Sequence, residues 1–217
     1  VDLGQNSDIS SVTLKAGLFG LGDFGNTNYT FCTSEDYISP VTDDFASFTI
    51  PIKQGTYLQK QFVVDTSQPN QRFIIPNAYV DTSTIRVDVR DSVSSGTKKT
   101  YAQLDNIVGI TTSSETYLIQ EVQDEKYELL FGDGVLGKKL ENGNAIDVSY
   151  LVCDGKGGNG VANFSFAGKL VDNDGALITS GISDVITNEN ARNGAEVENI
   201  DTIRNLAPRV YSAQHRA

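Results

Sequence analysis

Two runs of alternating residues joined by a glycine-rich link constrain this chain more than any other feature. Tyr127, Leu129 and Phe131 alternate with Glu128 and Leu130, and Ile146, Val148, Tyr150 and Val152 alternate with Asp147, Ser149 and Leu151. A period of two, rich in β-branched and aromatic residues, marks strands. Between them lies Phe131-Gly132-Asp133-Gly134-Val135-Leu136-Gly137-Lys138-Lys139-Leu140-Glu141-Asn142-Gly143-Asn144, which holds four glycines. Glycine tolerates positive φ and close backbone approach, so each can carry a bend or bulge. The pattern predicts a strand, a shaped loop and a return strand.

Residues 132–137 spell G-x-G-x-x-G, a pattern that invites a dinucleotide. That chemistry needs a helix whose N-terminus faces a pyrophosphate. The residues that follow are too few and too turn-rich for such a helix, and the charge of Asp133 repels phosphate. An EF-hand fails too, because Asp133 lacks further oxygen ligands at odd spacing and a closing Glu. The glycines Gly132, Gly134 and Gly137 are therefore expected to act through backbone geometry alone.

The rest of the chain repeats the β theme. Residues 1–11 read as a polar lead-in, and Val12 and Leu14 begin a strand. Residues 18–25 alternate glycine with large apolar groups, which predicts a bend tucked into a core. Strands are expected around Tyr29 and Phe31, over 45–52 up to Pro51, and over 59–64 and 72–75. Val64-Asp65-Thr66-Ser67 recurs as Val80-Asp81-Thr82-Ser83, and both read as strand-exit turns capped by Asp and Ser. Ile85, Val87 and Val89 alternate with Arg86, Asp88 and Arg90, a strand with one wet, charged face. Further strands are expected at 100–104, 117–122, 163–167 and 182–186. Residues 154–160 form a glycine-rich loop, and Asp172-Asn173-Asp174-Gly175 reads as a plain turn rather than a calcium loop.

The period changes at the end. Val197, Ile200, Ile203 and Ala207 fall at helical spacing, with acidic residues early and Arg204 late. Asn193 suits the cap region, and Pro208 should stop the helix. The expected fold class is mainly β: an antiparallel β-sandwich-like body with a short C-terminal helical segment. Three regions are expected: a β-rich domain or subdomain at 1–110, a β-rich core carrying the loop at 111–192, and a helical connection at 193–217.

Composition narrows function by exclusion. A net charge of −11 argues against a nucleic-acid surface and against anionic lipid. No apolar run approaches the about 20 residues of a membrane helix. Cys32 and Cys153 stand in strand-like runs with no C-x-x-C, so buried free thiols are expected, with one long-range disulfide open in an oxidising compartment. The single histidine, His215, has no nucleophile elbow or metal-binding pair beside it. No catalytic, cofactor-binding or metal-binding residues are expected.

The motifs do resemble a known family. Phe131, Gly132, Asp133, Gly134 and Val135, then Gly137, then Gly143 and Asn144, then Tyr150, resemble the signature of the baseplate J-like family. A second block agrees in order and spacing: Asn193-Gly194-Ala195-Glu196, an acidic helix-like stretch, then Ala207-Pro208-Arg209 and the closing Arg216-Ala217. Residues 52–64 and Arg72-Phe73-Ile74-Ile75-Pro76 resemble the branch found in T4-like phages. Members are baseplate wedge proteins of contractile-tailed phages and related injection machines. The resemblance implies a structural virion protein, assembled in the host cytoplasm. Its partners would be copies of itself and other wedge proteins, with no cofactor, nucleic acid or membrane. It also implies a chain that continues past Ala217, so a fragment is expected. The alternative is a stand-alone β-sandwich binding module, carbohydrate-binding or adhesin-like. The nine tyrosines serve that reading and the absence of Trp weakens it.

Overall fold

The computed structural model describes residues 1–4, 8–104 and 108–195. The chain is mainly β, with its strands almost all antiparallel. In order they are β1 (Ser11–Leu14), β2 (Gly17–Phe24), β3 (Thr27–Thr33), β4 (Tyr37–Pro40), β5 (Lys53–Gln54), β6 (Thr56–Val63), β7 (Phe73–Ile75) and β8 (Val80–Arg90). There follow β9 (Lys98–Gln103), β10 (Thr116–Val122), β11 (Lys126–Phe131), β12 (Ala145–Val152), β13 (Phe164–Phe166), β14 (Leu170–Asp172) and β15 (Leu177–Ile178).

Seven strands make one sheet in the order β6-β12-β8-β9-β10-β11-β7. Its one parallel contact joins β9 to β10. Laid flat, seven strands would separate the two edges by about 29 Å at 4.8 Å per strand. Yet the rings of Phe62 on edge β6 and Phe73 on edge β7 meet edge-to-face, 5.7 Å apart. The sheet is therefore curled on itself like an open barrel. Its inward residues form one core, drawn from every strand: Ile75, Val87, Val89, Tyr101, Tyr117, Leu129, Ile146 and Val148 are all buried there, with Phe62 against them. The outward residues Arg86, Asp88 and Arg90 give β8 its charged face, as its alternation predicts.

Two four-stranded sheets, β15-β14-β1-β4 and β13-β2-β3-β5, make the second part. Val12, Leu14 and Leu170 from the first and Phe19 from the second share a core, with Phe164 and Phe166 packed against it. This is a small sandwich. Its strands come from both ends of the described chain, and the curled sheet is the middle, residues 56–152. The division expected at residue 110 falls between β9 and β10, inside the curled sheet. The helical segment expected over 193–217 lies, from residue 196 on, outside the described residues.

Several local expectations change. Residues 18–25 are not a bend but most of the eight-residue strand β2. Gly20 and Gly22 stand in it because a side chain there would strike Ser165 and Val161 of the neighbouring segment. The repeat at Val80 opens β8 instead of closing a strand, although Asp81 still accepts hydrogen bonds from the Ser83 N–H and hydroxyl. Residues 46–52 and 182–186 form no strand. Phe48, Ile50, Ile52 and Val185 nonetheless pack against the sandwich core, which accounts for their apolar pattern.

Candidate functional site

The glycine-rich loop leaves β11 at Phe131 and returns into β12 at Ala145, with no helix between. Phe131 anchors it. Its ring lies edge-on to Phe73 at 5.6 Å and to Tyr101 at 5.9 Å, inside the core of the curled sheet. The chain then doubles back. Gly132 bridges to Lys139, and the backbone of Gly137 crosses so close that a Cβ on Gly132 would lie 2.5 Å from its carbonyl oxygen. Between them, the Asp133 carboxylate accepts hydrogen bonds from the N–H groups of Val135 and Leu136, at 2.8 and 2.9 Å. Those two N–H groups, Leu136 first, hold its carboxyl below the usual range. Gly134 and Gly137 have φ of +93° and +83°, where L side chains are strained. The Gly134 N–H donates to the Gly137 carbonyl at 3.1 Å. Gly137 and Lys138 in turn donate to Thr111 and Ser114 at 3.2 and 2.8 Å. The outcome is a fixed loop with Val135 and Leu136 at its tip, 71% and 55% exposed.

The remaining signature residues do similar work nearby. Gly143 has φ +86° and its N–H donates to Val64, while Val64 donates to Asn144. The Asn144 side chain accepts from the Glu141 N–H at 2.8 Å and donates to Asp91. The Tyr150 ring is buried in the core and its hydroxyl donates to Asn77 at 2.7 Å. Phe131, Gly132, Asp133, Gly134 and Gly137 thus lie together in the loop, Gly143 and Asn144 stand at the entry to β12, and Tyr150 lies six residues beyond Asn144 along that strand. Ala207, Pro208 and Arg209, and with them His215, lie outside the described residues. Of the loop's two lysines, Lys138 pairs with Glu115 at 3.0 Å.

A second feature was not visible as such in the sequence. A polar cleft of about 920 Å³ lies between the outer face of the curled sheet and the sandwich. On its floor Asp88 and Asp147 stand directly opposite each other on β8 and β12. Burial alone would raise both carboxyls, but hydrogen bonds outweigh it and hold them below the usual range. Asp88 receives Lys98 at 2.7 Å and Thr100 at 2.5 Å. Asp147 receives Arg90 at 2.6 Å and Gln61 at 2.6 Å. Two carboxylates so held are poor general acids, since neither keeps a proton near neutral pH. The facing wall carries Glu35 and Asp36, and Asp36 is bound by Lys15 at 2.5 Å.

Among the described residues no group of three or more His, Cys, Asp or Glu is placed to hold a metal. In the Asp172 turn, the carboxylate accepts from the Asp174 and Ala176 N–H groups, and Asn173 accepts from Ser10. Cys32 and Cys153 are free thiols, the first buried. Burial pushes the Cys153 thiol up to about 11. Among the described residues no helix is long and apolar enough to cross a membrane.

No family model matches the chain, and no curated protein matches it.

Proposed function

We propose that this chain is part of a baseplate wedge subunit of a contractile-tailed phage, in the baseplate J-like family and nearest to the large wedge subunit of T4-like phages. In this reading it is a structural protein of the virion. It makes contacts with copies of itself and with other wedge proteins in the ring around the tail hub. It also helps couple baseplate rearrangement to sheath contraction. It carries no catalysis and needs no cofactor.

One observation carries the reading. The residues that resemble the family signature sit where the backbone requires them: Gly132 under a crossing chain, and Gly134, Gly137 and Gly143 at positive φ. A signature explained by geometry, with no ligand group in it, is what a structural subunit needs. The fixed loop also presents Val135 and Leu136 outward, the kind of apolar contact a partner protein buries.

Assembly tests it. Alone, this chain is expected to sediment as a monomer or weak dimer, since closed rings need complementary faces on every copy. Mixed with the other wedge proteins, it should enter a larger complex. A stable ring formed by the chain alone, or no association with any wedge protein, would sink the proposal. A glycan array separates the alternative: a specific sub-millimolar hit would favour a sugar-binding module.

A further inference from the structure

We propose that the curled sheet and the sandwich swing against each other about Gly55 and the 153–160 connection. The motion opens and closes the polar cleft, and Glu35 and Arg86 form its latch.

The chain passes between the two parts twice, and both passages lie side by side. It leaves the sandwich at β5, and Gly55 alone separates β5 from β6. It returns after β12, whose last residue, Val152, pairs with Thr56. Gln54 and Asp154 tie the passages together: the Gln54 amide donates to the Asp154 carboxylate at 2.6 Å and accepts from the Asp154 N–H at 3.0 Å. Gly55 has φ +144°, and a Cβ on it would lie 2.8 Å from the Val152 carbonyl oxygen. The return passage holds Gly155 and Gly160, both at positive φ. Two adjacent glycine-bearing passages define an axis, and such element-end positions are where hinge motions are absorbed.

The cleft lies away from that axis. Arg86 is in register with Ser149, and Ser149 with Gln59, three residues along β6 from Thr56. That places Arg86 about 10 Å from the axis at 3.3–3.4 Å per residue. The row of Asp88, Asp147 and Gln61 lies farther out, by about 17 Å on the same scale.

Opening leaves the cleft carboxylates Asp88, Asp147 and Asp36 with their hydrogen-bonded partners. Asp88 and Asp147 find their partners on the curled sheet, and Asp36 finds Lys15 and the Ala16 N–H on the sandwich. Among the described residues two ion pairs join the two parts. Lys53–Asp81, at 3.2 Å, sits beside the axis. Glu35–Arg86, at 3.8 Å, crosses the cleft with its side chains 53% and 44% exposed. An exposed, long pair is the weakest kind and is screened by salt. It biases the equilibrium without locking it.

Spin labels read the motion directly. Ile38→Cys on β4 and Val93→Cys beyond β8 give exposed sites, one on each part. Cys32 is buried, and labelling of the otherwise unaltered chain gives the background from the half-buried Cys153. In low salt, electron–electron distances should centre on the closed form. Molar salt, or Glu35→Lys, should move the distribution several ångströms longer, with far-UV circular dichroism unchanged. One narrow distribution, identical in low and high salt, would overturn the proposal. If Glu35→Lys prevents folding, the salt series on the unaltered latch decides alone.

Discussion

Substituting Gly132 by Ala tests the loop more sharply than substituting any glycine at positive φ. Gly132 is not in the left-handed region, so conformational preference alone would make the change nearly harmless. The obstacle is the crossing segment of the loop at Gly137. An added Cβ would lie 2.5 Å from the Gly137 carbonyl oxygen and 2.7 Å from its Cα, and backbone does not rotate aside. The crossing segment is fixed by the bonds from Gly134 to Gly137, Gly137 to Thr111 and Lys138 to Ser114. Making room would break about two of these, at about 1 kcal/mol each. Residual overpacking adds about 1 kcal/mol or more. Gly132→Ala should therefore cost about 3 kcal/mol. Gly143→Ala is the control, with φ +86° and open space around it. It pays only the left-handed penalty, about 1 kcal/mol. For a chain of this size each kcal/mol lowers the midpoint by about 2–4 °C, so Gly132→Ala should melt about 6–12 °C below wild type. Urea and thermal melts followed by far-UV circular dichroism measure both. If Gly132→Ala melts with or above Gly143→Ala, the close approach does not hold the loop.

Three further outcomes are expected. Tyr117 is buried, its hydroxyl donates to the Ile85 carbonyl at 3.1 Å, and burial pushes its phenol up to about 12. The folded state keeps the proton that the unfolded chain loses near pH ~10, so this stability is intact below about pH 10 and is lost as pH rises toward 12. Burial also raises Tyr37, Tyr101, Tyr127 and Tyr150, so the test is by difference: Tyr117→Phe should remove a phenolate step near pH 12 from the absorbance titration and flatten that alkaline loss. Tyr150→Phe forfeits the 2.7 Å bond to Asn77 and should cost about 1 kcal/mol, with a double-mutant cycle against Asn77→Ala returning coupling of similar size. Melts in EDTA, calcium, zinc or ATP should coincide. A rise of several degrees with calcium would make the Asp172 turn or Asp133 a ligand site.

Strand existence was legible where alternation was strong. Residues 85–90, 127–131 and 146–152 lie in β8, β11 and β12, although Leu151, which alternates with the core-facing set, is itself fully buried. Alternation records which side chains are buried, however, and not whether the backbone finds a ladder. Residues 46–52 show the difference, since Phe48, Ile50 and Ile52 pack on the sandwich core without forming a strand. Glycine was ambiguous for a related reason. In β2 it marks close approach by a neighbouring segment, and sequence cannot tell that from a bend. The motif loop was read for its glycines, but the crossing at Gly132 depends on where Gly137 returns. The cleft was less legible still. The wet face of β8 was plain, yet its facing wall, Glu35 and Asp36, lies about 50 residues earlier in the chain.

The topology also explains how such distant pieces can meet at modest cost. The pair Val12–Asp172 joins positions 160 residues apart, an expensive closure for an unfolded chain because its entropy grows with loop length. The middle of the chain removes most of that expense. The curled sheet is built entirely from residues 56–152, and its outer pairing sets Thr56 beside Val152. Once this sheet exists, the two passages at Gly55 and Cys153 leave it from one point. The ends then search as two short arms, not as one long loop. The pairings that join the two ends, β1 with β14 and β2 with β13, are thus favoured to form after the curled sheet, on a base the sheet provides. The same junction that makes folding of the ends affordable is the axis about which the two parts can later move.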